Sequence, residues 1–309
     1  MSTPSLVIQD YYPTQFGTTW EHLVQQKISR LRETVEVDTN VVGQRKSYNQ
    51  IGLSDDEEIT TRNGETTDMT RLDEKRWISL KPYHTTKWFD EYDDQLLGNI
   101  VKPTSETVRS QAMAAGRRFD RVIIDALGGA ALTGEDGTTS TTFDAGQQVA
   151  VSVGGADSNL NLDKLIAAKS LFGVNEVTGQ SGDDDPLVLV VSQSQLDNLL
   201  LNVSQVSSAD YASVKALVAG EVNNFMGFRI IRSQLLPIDS NNVRTCYAYV
   251  RSGLKLAVGQ DFTTMMDILP QRNHTLQIRS KWRVGATRME EEKVVSIACD
   301  EDNSNINEL

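Results

Sequence analysis

An α+β fold is predicted by three features of the chain: a long amphipathic helix, a long alternating strand far from it in sequence, and a middle stretch carrying both patterns. The helix is the clearest. From Thr104 to Leu127, Val108, Ala112, Ala115, Phe119, Val122 and Ala126 recur at spacings of four and three, and Met113, Ile123 and Leu127 widen the stripe. Pro103, Thr104 and Ser105 supply start signals, and Gly128-Gly129 a stop. About 24 residues at 1.5 Å rise give a spine of roughly 36 Å. Ala112, Ala114, Ala115 and Gly116 would let another layer approach its middle closely.

The strand lies near the other end. From Thr275 to Val284, Leu276, Ile278, Trp282 and Val284 alternate with Gln277, Arg279, Lys281 and Arg283, the period of a half-buried strand. A polar link, Arg288–Glu292, leads to a further strand, Lys293–Cys299. If spine and strand pack together, everything between them is an insertion.

That middle reads as a compact α/β unit. Asn161 caps a helix with Leu162, Leu165, Ile166 and Leu171 on its apolar face and Gly173 at its end. Leu187–Val191 is a continuous apolar run, expected of a strand buried on both faces. Ser194 opens a short helix through Leu201, Ala209–Ala219 reads as another, and Phe228–Ile231 and Thr245–Val250 read as strands. The Gly-, Thr- and Ser-rich stretch Thr133–Thr142 reads as a surface loop.

The N-terminal third is different. Val35, Val37 and Val41 alternate with polar residues, and Arg76–Leu80 is a candidate return strand for them. Between Gly43 and Lys75 the aliphatic content is Ile51, Leu53, Ile59, Met69 and Leu72. A two-stranded arm is marginal in water by itself, so this one is mobile or lies on another molecule. Residues 1–33, with Tyr11, Tyr12, Phe16, Trp20, Leu23, Val24 and Ile28, fall outside any obvious single-chain core.

Composition narrows the function classes. Against 30 basic side chains stand 42 acidic ones, and the net charge of −12 disfavours nucleic-acid recognition through a broad basic surface. The longest apolar runs, Leu187–Val191 and Cys246–Val250, have five residues; a spanning helix needs about 20. Met1 to Tyr12 lack a basic segment followed by an apolar one, so no secretory signal is expected. Two cysteines make no disulfide framework and point to a reducing compartment. The expected product is soluble and made in the cytosol.

No catalytic motif emerges. The sequence has no GxxxxGK[ST] loop, GxGxxG turn, GxSxG elbow or HExxH pair. His22, His84 and His274 lack metal-site spacing, and Cys246 and Cys299 read as small buried hydrophobes. The acidic clusters Asp55–Glu58, Asp183–Asp185, Glu290–Glu292 and Asp300–Asp302 lack calcium-loop spacing and read as solvated charge. Arg279, Lys281 and Arg283 stand out. They could meet nucleic-acid backbone, carboxylates of a neighbouring chain, or cross-strand acids of their own sheet.

The order of these elements resembles the major capsid proteins of tailed bacteriophages, with the Hong Kong 97-like fold. Local sequence agrees. Asn224-Phe225-Met226-Gly227-Phe228-Arg229-Ile230-Ile231-Arg232-Ser233 through Leu236-Pro237 is similar to the family's "G-f-x-v…S…l-p" segment. Tyr247–Val258, with Arg251-Ser252-Gly253-Leu254-Lys255-Leu256-Ala257, resembles its following strand and turn, and Trp282–Arg288 its late strand.

The resemblance implies an N-terminal arm at 1–33 and an extended β-hairpin loop at 34–88. It implies a peripheral domain from 89–149 and 271–291, and an inserted α/β axial domain from 150–270 and 292–309. It further implies a structural protein without cofactor or metal, assembling with copies of itself into hexamers and pentamers. Scaffolding, portal and decoration proteins are its expected partners. Double-stranded DNA is enclosed without sequence-specific binding, and no membrane is involved. The location is the virion after synthesis in the host cytoplasm. Ile51, Leu53, Ile59, Trp20, Arg279, Lys281 and Arg283 are the candidate inter-subunit contacts. Lys46 and Lys75 are cross-link donors by location only; without a matched acceptor, no cross-link is expected. An encapsulin-like compartment and a metal-dependent hydrolase using the acidic loops are the alternatives.

Overall fold

The computed structural model describes residues 22–52, 54, 56, 58, 62, 73–90, 104–177, 185–203 and 224–302, the side chains of 200–203 excepted. Trp20, Leu53, Ile59 and the expected helix Ala209–Ala219 lie outside the described residues. In chain order the elements begin with β1 (Glu36–Thr39), β2 (Arg45–Gln50), β3 (Glu74–Ser79), β4 (Lys81–Phe89) and α1 (Thr104–Gly128). Next come β5 (Ala131–Thr133), β6 (Thr139–Thr141), β7 (Gln148–Val149), α2 (Leu162–Val174), β8 (Leu187–Val191) and α3 (Gln193–Val203). The last are β9 (Asn224–Phe225), β10 (Phe228–Arg232), β11 (Val243–Val250), β12 (Leu254–Leu269), β13 (Thr275–Arg288) and β14 (Val294–Asp300).

Strand β13 keeps the alternation read from its sequence and runs on to Arg288. Ile278, Ser280, Trp282 and Val284 are buried on the side facing α1. The amide of Gln111 in α1 donates to the Ile278 carbonyl at 3.2 Å and accepts from the Ser280 hydroxyl at 2.5 Å. The Trp282 ring stacks on Tyr83 at 6.4 Å and packs against Phe262 at 6.1 Å. The four-stranded sheet has the order β1-β12-β13-β4. Two expectations change here. Leu254–Leu269, placed by sequence with the middle unit, pairs along its length with β13, from Leu254↔Arg288 to Leu269↔Thr275. Strand β1 pairs in parallel with Lys255–Val258 and not with Arg76–Leu80. An apolar alternation marks a strand but carries no information about its neighbour.

The return segment instead belongs to a second sheet, β2-β3-β5-β6. Arg45–Gln50 runs antiparallel to Glu74–Ser79, and Arg76 and Trp77 pair with Thr133 and Leu132. Thr133–Thr142 is therefore not a plain surface loop: it holds the β5–β6 hairpin, turned through Gly134 and Gly137 at positive φ. The arm's base is anchored too, because Tyr48 packs on the small cluster Val41, Ile78, Leu80 and Ala257. The two sheets meet tightly at Gly285, where any side chain would collide with the Ser79 carbonyl oxygen.

A six-stranded mixed sheet, β7-β14-β11-β8-β10-β9, forms the third body of structure. All five residues of β8 are buried, as its unbroken apolar run predicts. Asn161 caps α2, accepting from the Lys164 amide at 2.9 Å. The buried face of α2 is Lys164, Leu165, Ala168 and Phe172, while the predicted Ile166 is 49% exposed. Hydropathy misplaced the face because Lys164 is buried. Its ammonium is satisfied by the carbonyls of Ser158 and Ala298, and desolvation pushes its pKa down.

The spine helix is buried on two faces. One side, including Ala115 and Phe119, follows the predicted stripe, although Ala112 is exposed. The second side carries Asp120 and Gly116 and receives the chain segment from His22 to Leu31. Its Ser29 nitrogen would lie 3.0 Å from a Cβ at Gly116, so a larger residue there would push the segment away from the helix by a few tenths of an ångström. The buried Asp120 carboxylate accepts from the Ser29 hydroxyl at 2.5 Å, the Arg30 amide at 3.1 Å and the Leu31 amide at 3.2 Å. It also accepts from the Gln26 side chain. Residues 22–31 thus lie along their own helix, a correction to their reading as a segment outside the single-chain core.

Candidate assembly surfaces

The face of β13 turned away from α1 is covered by the second sheet at Gly285 and becomes exposed towards Arg279. Cross-strand register sets Arg279 opposite Thr86, Lys281 opposite His84 and Arg283 opposite Pro82. Arg279, Lys281 and Arg283, with Pro82, Tyr83, His84, Trp282, Gly259 and Gln260, line a groove of about 510 Å³ with no carboxylate among the described lining residues. Arg283 donates to the Val41 carbonyl at 3.0 Å, while its Nε and the indole N–H of Trp282 are buried without a partner. Among the described residues, no ion pair includes Arg279, Lys281 or Arg283. The structure thus brings the three predicted cations together. Among the described residues it pairs none of them with an acid of their own sheet, although Asp267 lies diagonal to Arg279 on the same face.

The β2–β3 hairpin forms the other surface. Ile51, just beyond its last paired residue, is 74% exposed. The hairpin's base is held to the body by polar links that hydropathy could not show. The Gln50 side chain donates to the Met289 carbonyl at 2.6 Å, and Arg76 donates to Gln50 at 3.3 Å.

A family model described as phage capsid protein matches residues 8–301. The chain belongs to the phage capsid protein family. Its fold agrees with solved capsids at low sequence identity. The capsid of cyanophage P-SCSP1u is 13% identical over 93% of each chain, with a TM-score of 0.70. The capsid of cyanophage Pam1 is 12% identical over 99% of this chain and 100% of its own, also at 0.70. The Mycobacterium phage Che8 structure is 15% identical over 96% and 99%, at 0.66. No curated protein matches the sequence. This is a major capsid shell protein with the Hong Kong 97-like fold, and its place is the virion; the compartment and hydrolase alternatives are not favoured.

In the capsid protein the remaining chemistry-bearing residues serve packing. The neighbouring Cys299 thiol and burial push the Cys246 thiol well up, the reverse of an activated nucleophile. Lys46 pairs with Asp38 of its own chain, and Lys75 is half-buried. What sequence reasoning missed is polar and buried: Asp120 on the spine, and the group around Arg288. The fully buried Arg288 guanidinium donates to the carbonyls of Leu127 at 2.8 Å and Gly129 at 2.9 Å, closing the end of α1. Its Nε meets Glu291 at 2.6 Å, and Glu291 in turn lies 3.7 Å from Arg76 of the hairpin. The run Glu290–Glu292 offered a weak signal, since an arginine three residues before an acid can pair with it.

Asp38, Asp261 and Glu301 carry an acid-dependent contribution. Hydrogen bonds from Lys46 and Tyr48 hold Asp38 below the usual carboxylate range, and Arg32 does the same for Asp261. A folded value below the unfolded one adds stability above about pH 4 that is lost as pH falls through the folded value. Asp38→Asn is therefore expected to melt below wild type near neutral pH, with a gap that shrinks towards about pH 3. Calorimetry across this range checks it, and a constant gap would refute the linkage.

Proposed function

We infer that the capsid protein closes into an icosahedral head shell of hexamers and pentamers around the double-stranded DNA genome of a tailed phage. Scaffolding, portal and decoration proteins are its partners, host cytoplasm is where it is made, and its role is structural, without catalysis. The family match over almost the whole chain carries this reading. Within it, the arm is residues 1–33 and the extended loop 34–88. The spine helix and long strand belong to a peripheral domain of 89–149 with 271–291, whose sheet β12 joins by pairing with β13, and the six-stranded sheet, apart from its edge strand β7, belongs to an axial domain of 150–270 with 292–309 less β12. Ile51, Leu53, Ile59 and Trp20 make apolar contacts with neighbours.

Arg279, Lys281 and Arg283 meet carboxylates of a neighbouring subunit. The absence of a carboxylate among the described lining residues of the groove supports this, in a chain whose copies each carry 42 acidic against 30 basic side chains. Electron microscopy of the purified protein, with scaffold and portal supplied, tests the whole reading: closed shells are expected, and a strictly monomeric species at high concentration overturns it. Replacing the three cations with Gln should weaken the empty shells themselves, seen as dissociation at lower denaturant. Intact empty shells with reduced DNA retention would move the groove to the genome side. Equal shell stability and equal genome content would sink both roles.

A further inference from the structure

The end of the basic groove around Arg283 is chemically one-sided: it offers charged and polar donors without an opposing acid. The Arg283 guanidinium is fixed from behind, since its Nη2 donates to the Val41 carbonyl at 3.0 Å. Its Nε is buried and has no partner among the described residues. The same holds for the indole N–H of Trp282, a residue only 4% exposed that also lines the groove. Lys281 stands one strand period away on the same face, about 6.7 Å along the chain, with His84 facing it across the ladder. Asp267 does not reach this end. It lies opposite Gln277, two strand periods beyond Lys281.

The wall of this end leaves room for close approach. A Cβ at Gly259 would stand 2.5 Å from the Arg283 Nε, 2.7 Å from its Nη2 and 2.9 Å from the Leu80 side chain. The missing side chain is what keeps the space beside the guanidinium clear. The apolar Leu80 alongside lowers the local dielectric, which strengthens the pull on a negative charge. A buried donor left unpaired carries its full desolvation cost, and an ionised acceptor repays it best. A fixed guanidinium, an ammonium and an imidazole closing on one place suit a compact anion with acceptor oxygens on several sides.

We propose that Lys281, Arg283 and His84, beside the open Gly259, form a seat for a free tetrahedral oxyanion of the inorganic phosphate class. Only its consequence rests on the shell reading. A phosphate held there occupies cations that otherwise meet a neighbour's carboxylates, so the anion competes with assembly and sets the protein concentration at which shells form.

The test is calorimetric titration of inorganic phosphate into the purified subunit, against sodium chloride at matched ionic strength. Wild type is expected to take one phosphate per chain. Lys281→Gln should weaken binding on the order of tenfold, the scale of one lost charge-assisted hydrogen bond. Gly259→Ala should weaken it too, by pushing the guanidinium aside; if that variant melts early, Lys281→Gln still decides. Equal binding by wild type and Lys281→Gln would overturn the seat, and so would a response to chloride as large as that to phosphate. A double-stranded DNA fragment that displaces phosphate at a lower concentration of phosphate groups would assign this chemistry to the genome backbone and overturn the free-anion reading. Phosphate should also raise the wild-type protein concentration needed for shells, more than matched chloride does. Shells that form alike with and without bound phosphate would overturn the competition. Wild type that binds phosphate yet never forms shells would support the seat and remove the shell reading alone.

Discussion

Arg288→Ala should cost the subunit about 3–5 kcal/mol, the scale for breaking a buried ion pair by removing one partner. The guanidinium has no solvent exposure, and its Nε bond to Glu291 is 2.6 Å long. Three effects add up. Glu291 loses its closest cation. The carbonyls of Leu127 and Gly129, left without an intrahelical donor at the end of α1, lose the hydrogens that satisfy them. The positive charge that opposes the negative pole of a long helix disappears as well. At roughly 2–4 °C per kcal/mol, the melting temperature should fall by about 6–20 °C. Glu291→Gln should do less, since the helix end keeps its cap. If Arg288→Ala melts within a degree or two of wild type, the guanidinium is not what holds the end of the spine.

Arg288 also marks where sequence reading stopped. The predicted link Arg288–Glu292 looked like polar surface, because a sequence shows charge but not the carbonyls that will surround it. Asp120 is hidden for the same reason: its donors, two main-chain amides and the side chains of Gln26 and Ser29, come from a segment about 90 positions earlier. Elements that depend on periodicity alone were legible. The spine, the alternation of β13 and the buried run of β8 all follow from which residues can share a face. Pairing partners were not, because every half-buried strand offers the same ladder of amides and carbonyls. Hence the pattern alone points β1 to the wrong neighbour and leaves β5–β6 looking like loop. The three cations of the groove were legible because a strand's period of two forces Arg279, Lys281 and Arg283 to one face whatever its neighbours are.

Replacing residues 52–72 with a short Gly/Ser linker should leave the subunit folded and abolish shells. The boundaries follow from the structure. Arg45–Gln50 and Glu74–Ser79 form a paired hairpin, Ile78 is fully buried, and Gln50 and Arg76 tie that hairpin to the body. A longer cut from 44 to 74 would remove Tyr48 from the Val41, Ile78, Leu80 and Ala257 cluster and confuse folding with assembly. Between Gln50 and Glu74 the aliphatic content is only Ile51, Leu53, Ile59, Met69 and Leu72, too little to matter to a core at about 25 cal/mol per Å². Across a closed shell the same few contacts recur in every subunit, and their sum decides whether the lattice closes. Circular dichroism and thermal melting should therefore match wild type, while electron micrographs show no closed particles. A variant that melts early would place the segment in the subunit core. One that still forms normal shells would take the arm out of assembly altogether, leaving the basic groove to hold neighbouring subunits.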